Sequence, residues 1–380
     1  MRNITFLRVY PSSIGWKYVL RSLSMNIGFP CQNIVDEDKT LKQGLCKEAT
    51  SEPKDVSPNT RKSLKKCVML MAYCGSEYHG MQLIKSGLPT IEGELLSALV
   101  RAQCIPETCS SNTQLLRFQR CARTDKGVSA LAQVVSVRLF ESCTNLVEKI
   151  NCNLPPEICV LGIKRVPKRF NCKKMCDART YSYTLPTFAL SRCAVSAPDA
   201  SFRLPRGDFH HINRLLLFYK GTHNFHNFTK GKSADDKSAH RHIFDISCPE
   251  PFVRDGVEFA QILIKGQSFM LHQIRKMVGL VIALAQGVVT ADYLPQSVQN
   301  GKTNIPIAPA LGLVLESTHF EHYNKRRVHD NNFHQTITWD KAVPEIEAFR
   351  EEKIIPVIIK GELKDLSMWR WLHQISTHRL

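Results

Sequence analysis

The stretch CVMLMAYCG, residues 67–75, is an unbroken apolar run closed by a glycine, and it reads as a buried β-strand. The segments that follow it set an order of elements. TIEGELLSALVRAQ (90–103) opens at Thr90 and places Leu95, Leu96, Leu99 and Val100 on one helical face. FQRCART (118–124) reads as a short strand, and AQVVSVRLF (132–140), after an Asp-Lys-Gly turn, as another. NLVEKINCNL (145–154) is a helix stopped by Pro155 and Pro156, and CVLGIKRV (159–166) is a strand. The order is strand, helix, strand, strand, helix, strand.

A similar order recurs. RTYSYTL (179–185) is a strand, FHHINRLLLFYKG (209–221) a helix closed by glycine, and HIFDISC with VEFAQILIKG a hairpin. FMLHQIRKMVGLVIALAQG (269–287) reads as one long helix, and LGLVLESTHF (311–320) as the closing strand. Two βαββαβ halves predict an α+β fold: two ferredoxin-like halves forming a joined mixed or antiparallel sheet, with helices on one side. The expected division is 1–65 as a disordered N-terminal segment, 66–175 and 176–325 as the halves, and 326–380 as a helical extension. Within that extension VPEIEAFREEK and SMWRWLHQI predict helices.

Charge points to a partner class. With 51 Lys and Arg against 34 Asp and Glu, the net charge is +17, which favours a polyanion, nucleic acid before an anionic membrane surface. No apolar run approaches the roughly 20 residues that cross a bilayer, so membrane insertion is not expected. The 14 cysteines are scattered, mostly inside apolar segments, without a C-x-x-C pair. That fits reduced, buried thiols. Residues 1–35 carry Arg2, Arg8, Lys17 and Arg21 with no acid before Asp36, the composition of a mitochondrial presequence or of a plain basic tail. The run Arg61 to Lys66 could touch RNA, serve as a nuclear address, or be solvated only. The localisation expected is mitochondrion, nucleus or both.

Four clusters could carry chemistry. In RCARTDKGVSA (120–130), Asp125 follows a strand and precedes a turn, a place where a rigid sheet presents side chains to a cleft; ordinary turn chemistry explains it equally well. In DARTYSYT (177–184), Tyr181 and Tyr183 share a strand face, as base-stacking aromatics or as core. In GQSFMLHQIRKMVG (266–279), His272 and Arg275 lie three apart in an apolar setting, where a guanidinium that does not snorkel needs an anion. GTHNFHNFTKGK (221–232) offers His223 and His226 but no third metal ligand at useful spacing, so no metal is expected. P-loop, dinucleotide, G-x-S-x-G and H-E-x-x-H signatures are lacking, which leaves standard cofactor chemistry unsupported.

CARTDKGVSA, AYCGSEYHGMQ, CDARTYSYTLPTF, GTHNFHNFT, KGQSFMLHQIRKMVGLV and APALGLVLE occur together and in order. On these motifs, over roughly residues 66–377, the chain resembles the TruA-type tRNA pseudouridine synthases, their eukaryotic branch above all. The resemblance implies two ferredoxin-like halves around a basic RNA-binding cleft, and an isomerase that converts specific uridines of tRNA, in and near the anticodon stem, to pseudouridine without a cofactor. Other structured RNAs are further candidate substrates, and a monomer is expected. It implies Asp125 as the essential aspartate and Arg123 as the arginine that holds the flipped nucleotide's place. Tyr181 is the ring that stacks on the target uracil, Arg275 the partner that keeps the carboxylate ionised, and Leu313 the apolar residue on the uracil's other side. Met81 stands where bacterial members usually carry tryptophan. Two roles are open to the carboxylate: nucleophile on ribose or uracil, or base at ribose C2′. The competing reading is an RNA-binding protein that kept the fold without the catalysis.

Overall fold

The computed structural model describes residues 63–84, 86–109, 113–141, 144–192, 200–328 and 336–377, besides a short antiparallel pairing of Leu7–Arg8 with Val19–Leu20. Residues 1–59 and 60–380 form separate units, and the fold below is that of the second. The presequence and linker expected before residue 63 lie outside the described residues, that pairing aside.

Residues 67–73 of the run quoted above lie within β1 (Leu64–Tyr73), and Cys74 and Gly75 follow its end. Helix α1 (Ile91–Arg101) follows, its N-terminus capped by the Thr90 hydroxyl accepting from the Gly93 amide. Next come β2 (Ser129–Phe140), α2 (Leu146–Asn151), β3 (Ile158–Arg165) and β4 (Ala178–Pro186). Helix α3 (Arg206–Leu217), β5 (Gly221–Asn224), β6 (His240–Ser247), β7 (Phe252–Arg254) and β8 (Val257–Gly266) continue the chain. Helix α4 (Gln273–Ala285) and β9 (Leu313–His319) complete the second series.

The strands make one mixed sheet in the order β3-β1-β2-β9-β4-β8-β6-β5, with β7 paired to β8. The two series meet where β9 runs parallel to the start of β2, through Val314 opposite Ser129 and Leu315 opposite Ala130. On its other edge β9 is antiparallel to β4, with Leu313 opposite Tyr183 and Leu315 opposite Tyr181. Side chains on alternate strand positions share a face. Met69, Met71, Tyr73, Tyr181, Tyr183, Leu313 and Leu315 therefore pack into one large core with α1, α3 and α4.

Three sequence-based expectations need correction. FQRCART is strand only at Gln119–Arg120, which pairs with β2; beyond it the chain leaves the ladder. Side chains explain why. Gln133 donates to the Ala122 carbonyl and its Oε1 accepts from the Ala122 amide, doing the work of a neighbouring strand. The predicted 269–287 helix begins only at Gln273, because His272 is left-handed (φ 62°). Nor are helices confined to one side of the sheet. Val68, Leu70, Ala72, Leu131 and Val314 make the opposite face apolar too, and burying it requires a second cover.

The C-terminal extension supplies that cover. It begins within α5 (Glu321–Val328) and continues through α6 (Val343–Phe349), a π-turn at Arg350–Ile354, α7 (Ile355–Leu363) and α8 (Ser367–Thr377). Phe349, Ile354 and Ile358 pack on Ala72, Leu131 and Val314. Arg350 fixes the docking by donating to both carboxylate oxygens of Glu316 on β9, at 2.9 and 2.6 Å, while Ser182 of β4 donates to the same carboxylate. A bidentate guanidinium–carboxylate pair at low exposure demands this one geometry.

Candidate active site

Asp125 sits in the loop between Arg120 and β2. Its carbonyl accepts from the Val128 amide at 3.2 Å, closing a four-residue turn in which Gly127 adopts φ 78°. A positive φ at the third position is what such a turn requires, and glycine takes it without a Cβ penalty. The residues before the turn are anchored in the core. Thr124 Oγ1 lies 2.8 Å from the Tyr73 hydroxyl, and the Thr124 carbonyl accepts from the Met81 amide. Gln133 Nε2 donates to that same Tyr73 oxygen at 3.4 Å. The loop is thus a fixed mount for Asp125, while Arg123 and Lys126 on either side are exposed.

Two basic side chains approach the carboxylate. Arg275 Nη1 lies 3.9 Å from Asp125 Oδ2, and His272 Nε2 lies 3.6 Å from the same oxygen. Burial pushes the Asp125 carboxyl above the usual carboxylate range; His272 and then Arg275 pull it back without cancelling the rise. Arg275 favours the ionised form of Asp125, but less than burial disfavours it. At these separations neither partner makes a direct hydrogen bond, and desolvation wins. A carboxylate raised in this way is a better base and nucleophile near neutral pH than an exposed one. Arg275 is itself held on the backbone: Nε donates to the Ala308 carbonyl at 2.7 Å, and the Ala308 amide donates to the Arg275 carbonyl at 3.1 Å.

The structure brings Tyr181, Tyr183 and Leu313 to the same sheet face. Tyr181 is 7 % exposed, and its ring meets Phe269 edge-on at 5.3 Å. Burial pushes its phenol far up, with Arg179 opposing. Tyr183 is a core residue whose hydroxyl donates to the Pro309 carbonyl at 2.8 Å. Leu313, opposite it, is buried and follows Gly312, which is pressed against the Thr184 carbonyl. The His223 and His226 loop packs instead of opening. His226 Nε2 meets the Gly301 carbonyl, His223 Nε2 meets the Lys220 carbonyl, and Lys276 of α4 donates to the Asn227 carbonyl.

Sequence reasoning passed over Arg179. This buried guanidinium donates to the carbonyls of Cys121, Cys176 and Gln267, at 3.0, 3.3 and 2.6 Å respectively. It ties the loop bearing Asp125 to the segment bearing His272. The signal was an arginine two residues from Tyr181 on a strand that is otherwise buried, a position that forces a charge inward.

Comparisons with known proteins place these residues in a family. A sequence model described as tRNA pseudouridine synthase matches residues 217–321. The chain is 50% identical over 313 residues to a human protein named pseudouridylate synthase 1 homolog, covering 82% of this chain and 73% of that one. It is 47% identical over 350 residues to the Mus musculus protein of the same name, covering 90% and 82%. With a Yarrowia lipolytica protein named tRNA pseudouridine synthase 1 it shares 31% identity over 388 residues, covering 81% and 73%.

Proposed function

The chain belongs to the tRNA pseudouridine synthase family, and from that premise we propose that it converts uridine to pseudouridine in tRNA through the carboxylate of Asp125. The observation that carries this reading is the half-buried Asp125 facing Arg275 beside a sheet face bearing Tyr181 and Leu313. The reaction breaks the bond between ribose C1′ and N1, turns the uracil and joins C1′ to C5. The C5 hydrogen leaves as a proton and N1 regains one, so nothing is oxidised and no group is donated. One carboxylate of raised basicity suits the first step, whether it attacks as nucleophile or takes a proton from C2′. Tyr181 and Leu313 would confine the freed uracil while it turns. A phenol pushed so far up stays protonated, which favours a stacking or relay role for Tyr181 over that of a free base.

The strand orders support reading the two series as ferredoxin-like halves, residues 66–175 and 176–325. Each has its fourth strand beside its first, then its third, then its second: β3, β1, β2 with Gln119–Arg120, and β9, β4, β8, β6. Exposed Arg123 and Lys126 beside the turn support a basic path for the RNA backbone, with Arg123 filling the gap left by the flipped nucleotide. The test is to incubate the protein with tRNA transcripts and map pseudouridine. Asp125→Asn should abolish conversion and leave tRNA affinity nearly unchanged. Full conversion by that variant would refute the assignment. A wild-type protein that binds tRNA and converts nothing would favour an RNA-binding role alone.

A further inference from the structure

We propose that His272 is a positioning residue for Asp125: it holds Oδ2 from the side opposite the substrate, so that Oδ1 is the oxygen presented to the nucleotide. This rests on the reading of Asp125 as the reactive carboxylate.

The first observation is convergence. The closest approaches of His272 and of Arg275 are both to Oδ2, so one carboxylate oxygen has two basic neighbours. Separations of 3.6 and 3.9 Å suit a substrate-free site, where such contacts are often long and shorten once the substrate expels water. The second is backbone conformation. His272 sits at φ 62°, ψ 0°, a left-handed conformation that costs a non-glycine residue roughly 1 kcal/mol or more. At the N-cap of α4 a polar side chain normally offsets such costs by accepting from a helix amide. The His272 side chain makes no such bond. Its backbone carbonyl begins the helix by accepting from the Lys276 amide, and its imidazole is free to turn to Asp125.

The third is the rigidity of the approach. Arg179 donates to the Gln267 carbonyl, the Gln267 amide donates to the His242 carbonyl, and Phe269 lies against Tyr181. Gln273, fully buried, accepts from the Met270 amide through Oε1. Both ends of the strained residue are pinned, so the strain persists and aims the ring.

Asp125 is faced by His272 and Arg275 from the start of α4 and by Tyr181 from β4, and its own loop carries Arg123 and Lys126. Burial raises its carboxyl, and His272 and Arg275 oppose that rise. Removing the imidazole leaves burial less opposed. The acid limb of the rate profile must then move to higher pH.

His272→Asn is the informative variant. Asparagine tolerates the left-handed conformation, is too short to reach Oδ2 and carries no charge. Single-turnover pseudouridine formation would be followed from about pH 5 to pH 9 for wild type, His272→Asn and Asp125→Asn, with tRNA affinity and thermal unfolding alongside. The expected result is a rate about 10- to 100-fold lower with affinity unchanged. The acid limb should shift to higher pH, and the melting temperature should hold. A wild-type rate with an unmoved acid limb would overturn the proposal, as would a rate loss matched by lost heat stability with no shift of the limb. Should His272→Asn not fold, His272→Gly removes the backbone strain and faces the same two outcomes. Activity in Asp125→Asn would instead sink the reading of Asp125 itself, separating the two failures.

Discussion

Glu362 offers a quantitative test of how the C-terminal extension is held. It lies near the end of α7, 3 % exposed, and its carboxylate accepts from the Met368 amide at 2.9 Å at the start of α8. Burial raises its carboxyl from 4.5 to about 7, and that amide only moderates the rise. That displacement corresponds to about 3 kcal/mol of native-state cost for the ionised form. Below about pH 4.5 both folded and unfolded chains hold the proton and no cost arises. Between about 4.5 and 7 the unfolded chain sheds the proton while the folded chain keeps it, so stability falls as pH rises. Above about 7 the whole penalty is present. Glu362→Gln mimics the protonated acid, and its amide oxygen can still accept from Met368. The variant should therefore be more stable than wild type by about 2–3 kcal/mol at pH 8 and equal to it at pH 4. Urea unfolding followed by the fluorescence of Trp369 and Trp371 in α8 reads this directly. Equal stability at pH 8, or the same increment at both pH values, would refute the reasoning.

Two further outcomes follow from contacts around the site. A Cβ at position 312 would lie 2.1 Å from the backbone carbonyl oxygen of Thr184, a residue whose amide donates to the Gly312 carbonyl. Gly312→Ala should cost about 3 kcal/mol and lower kcat more than KM by displacing Leu313 from its place beside Tyr183; unaltered unfolding and kinetics would contradict that. Arg179→Lys keeps the charge but has no planar fork with which to reach Cys121, Cys176 and Gln267 together. It should lose about 2–4 kcal/mol of stability and most of the conversion rate, and a variant with native melting temperature and native rate would show that the two loops need no tie.

The sequence carried the element order well because the strands are long and patterned, with a dense apolar run at 67–73 and an alternating one at 133–139. The same density held information that a one-sided reading ignores. Val68, Leu70 and Ala72 alternate with Met69, Met71 and Tyr73, and all are buried. A strand apolar on both faces must be covered on both, so the second layer of helices was foreshadowed in β1 itself. The break at His272 was not. Phe269, Ile274, Met277 and Val278 continue an apolar pattern through it, and hydrophobic spacing does not record a single left-handed φ. What fixes that φ lies far off in the chain, at Arg179 and His242. The end of the strand at Arg120 was hidden in the same way. The groups that replace its ladder, Gln133 and Tyr73, are 11 and 60 residues from Ala122 and Gln133 respectively, beyond any local window.

The position of Asp125 follows from how the two strand series join. Only two residue pairs between β2 and β9 make the backbone seam, and the first of them, Ser129 with Val314, comes four residues after Asp125. A loop that ends on the seam feels both halves. From the first half it is held by Tyr73 and Gln133, and from the second by Arg179 on the Cys121 carbonyl. The partners for its carboxylate, His272 and Arg275, also come from the second half, as do Tyr181 and Leu313. This arrangement requires that both strand series be folded and joined, since neither series alone supplies both the acid and the groups that face it. The extension adds a third hold, because Arg350 grips Glu316 on β9, three residues beyond Leu313, from the opposite face of the sheet. Whatever shifts β9 along its own axis must therefore break the Glu316 pair, the Ser129–Val314 register and the Leu313–Tyr183 pairing together. That shared cost makes the seam a rigid mount for the loop that carries Asp125.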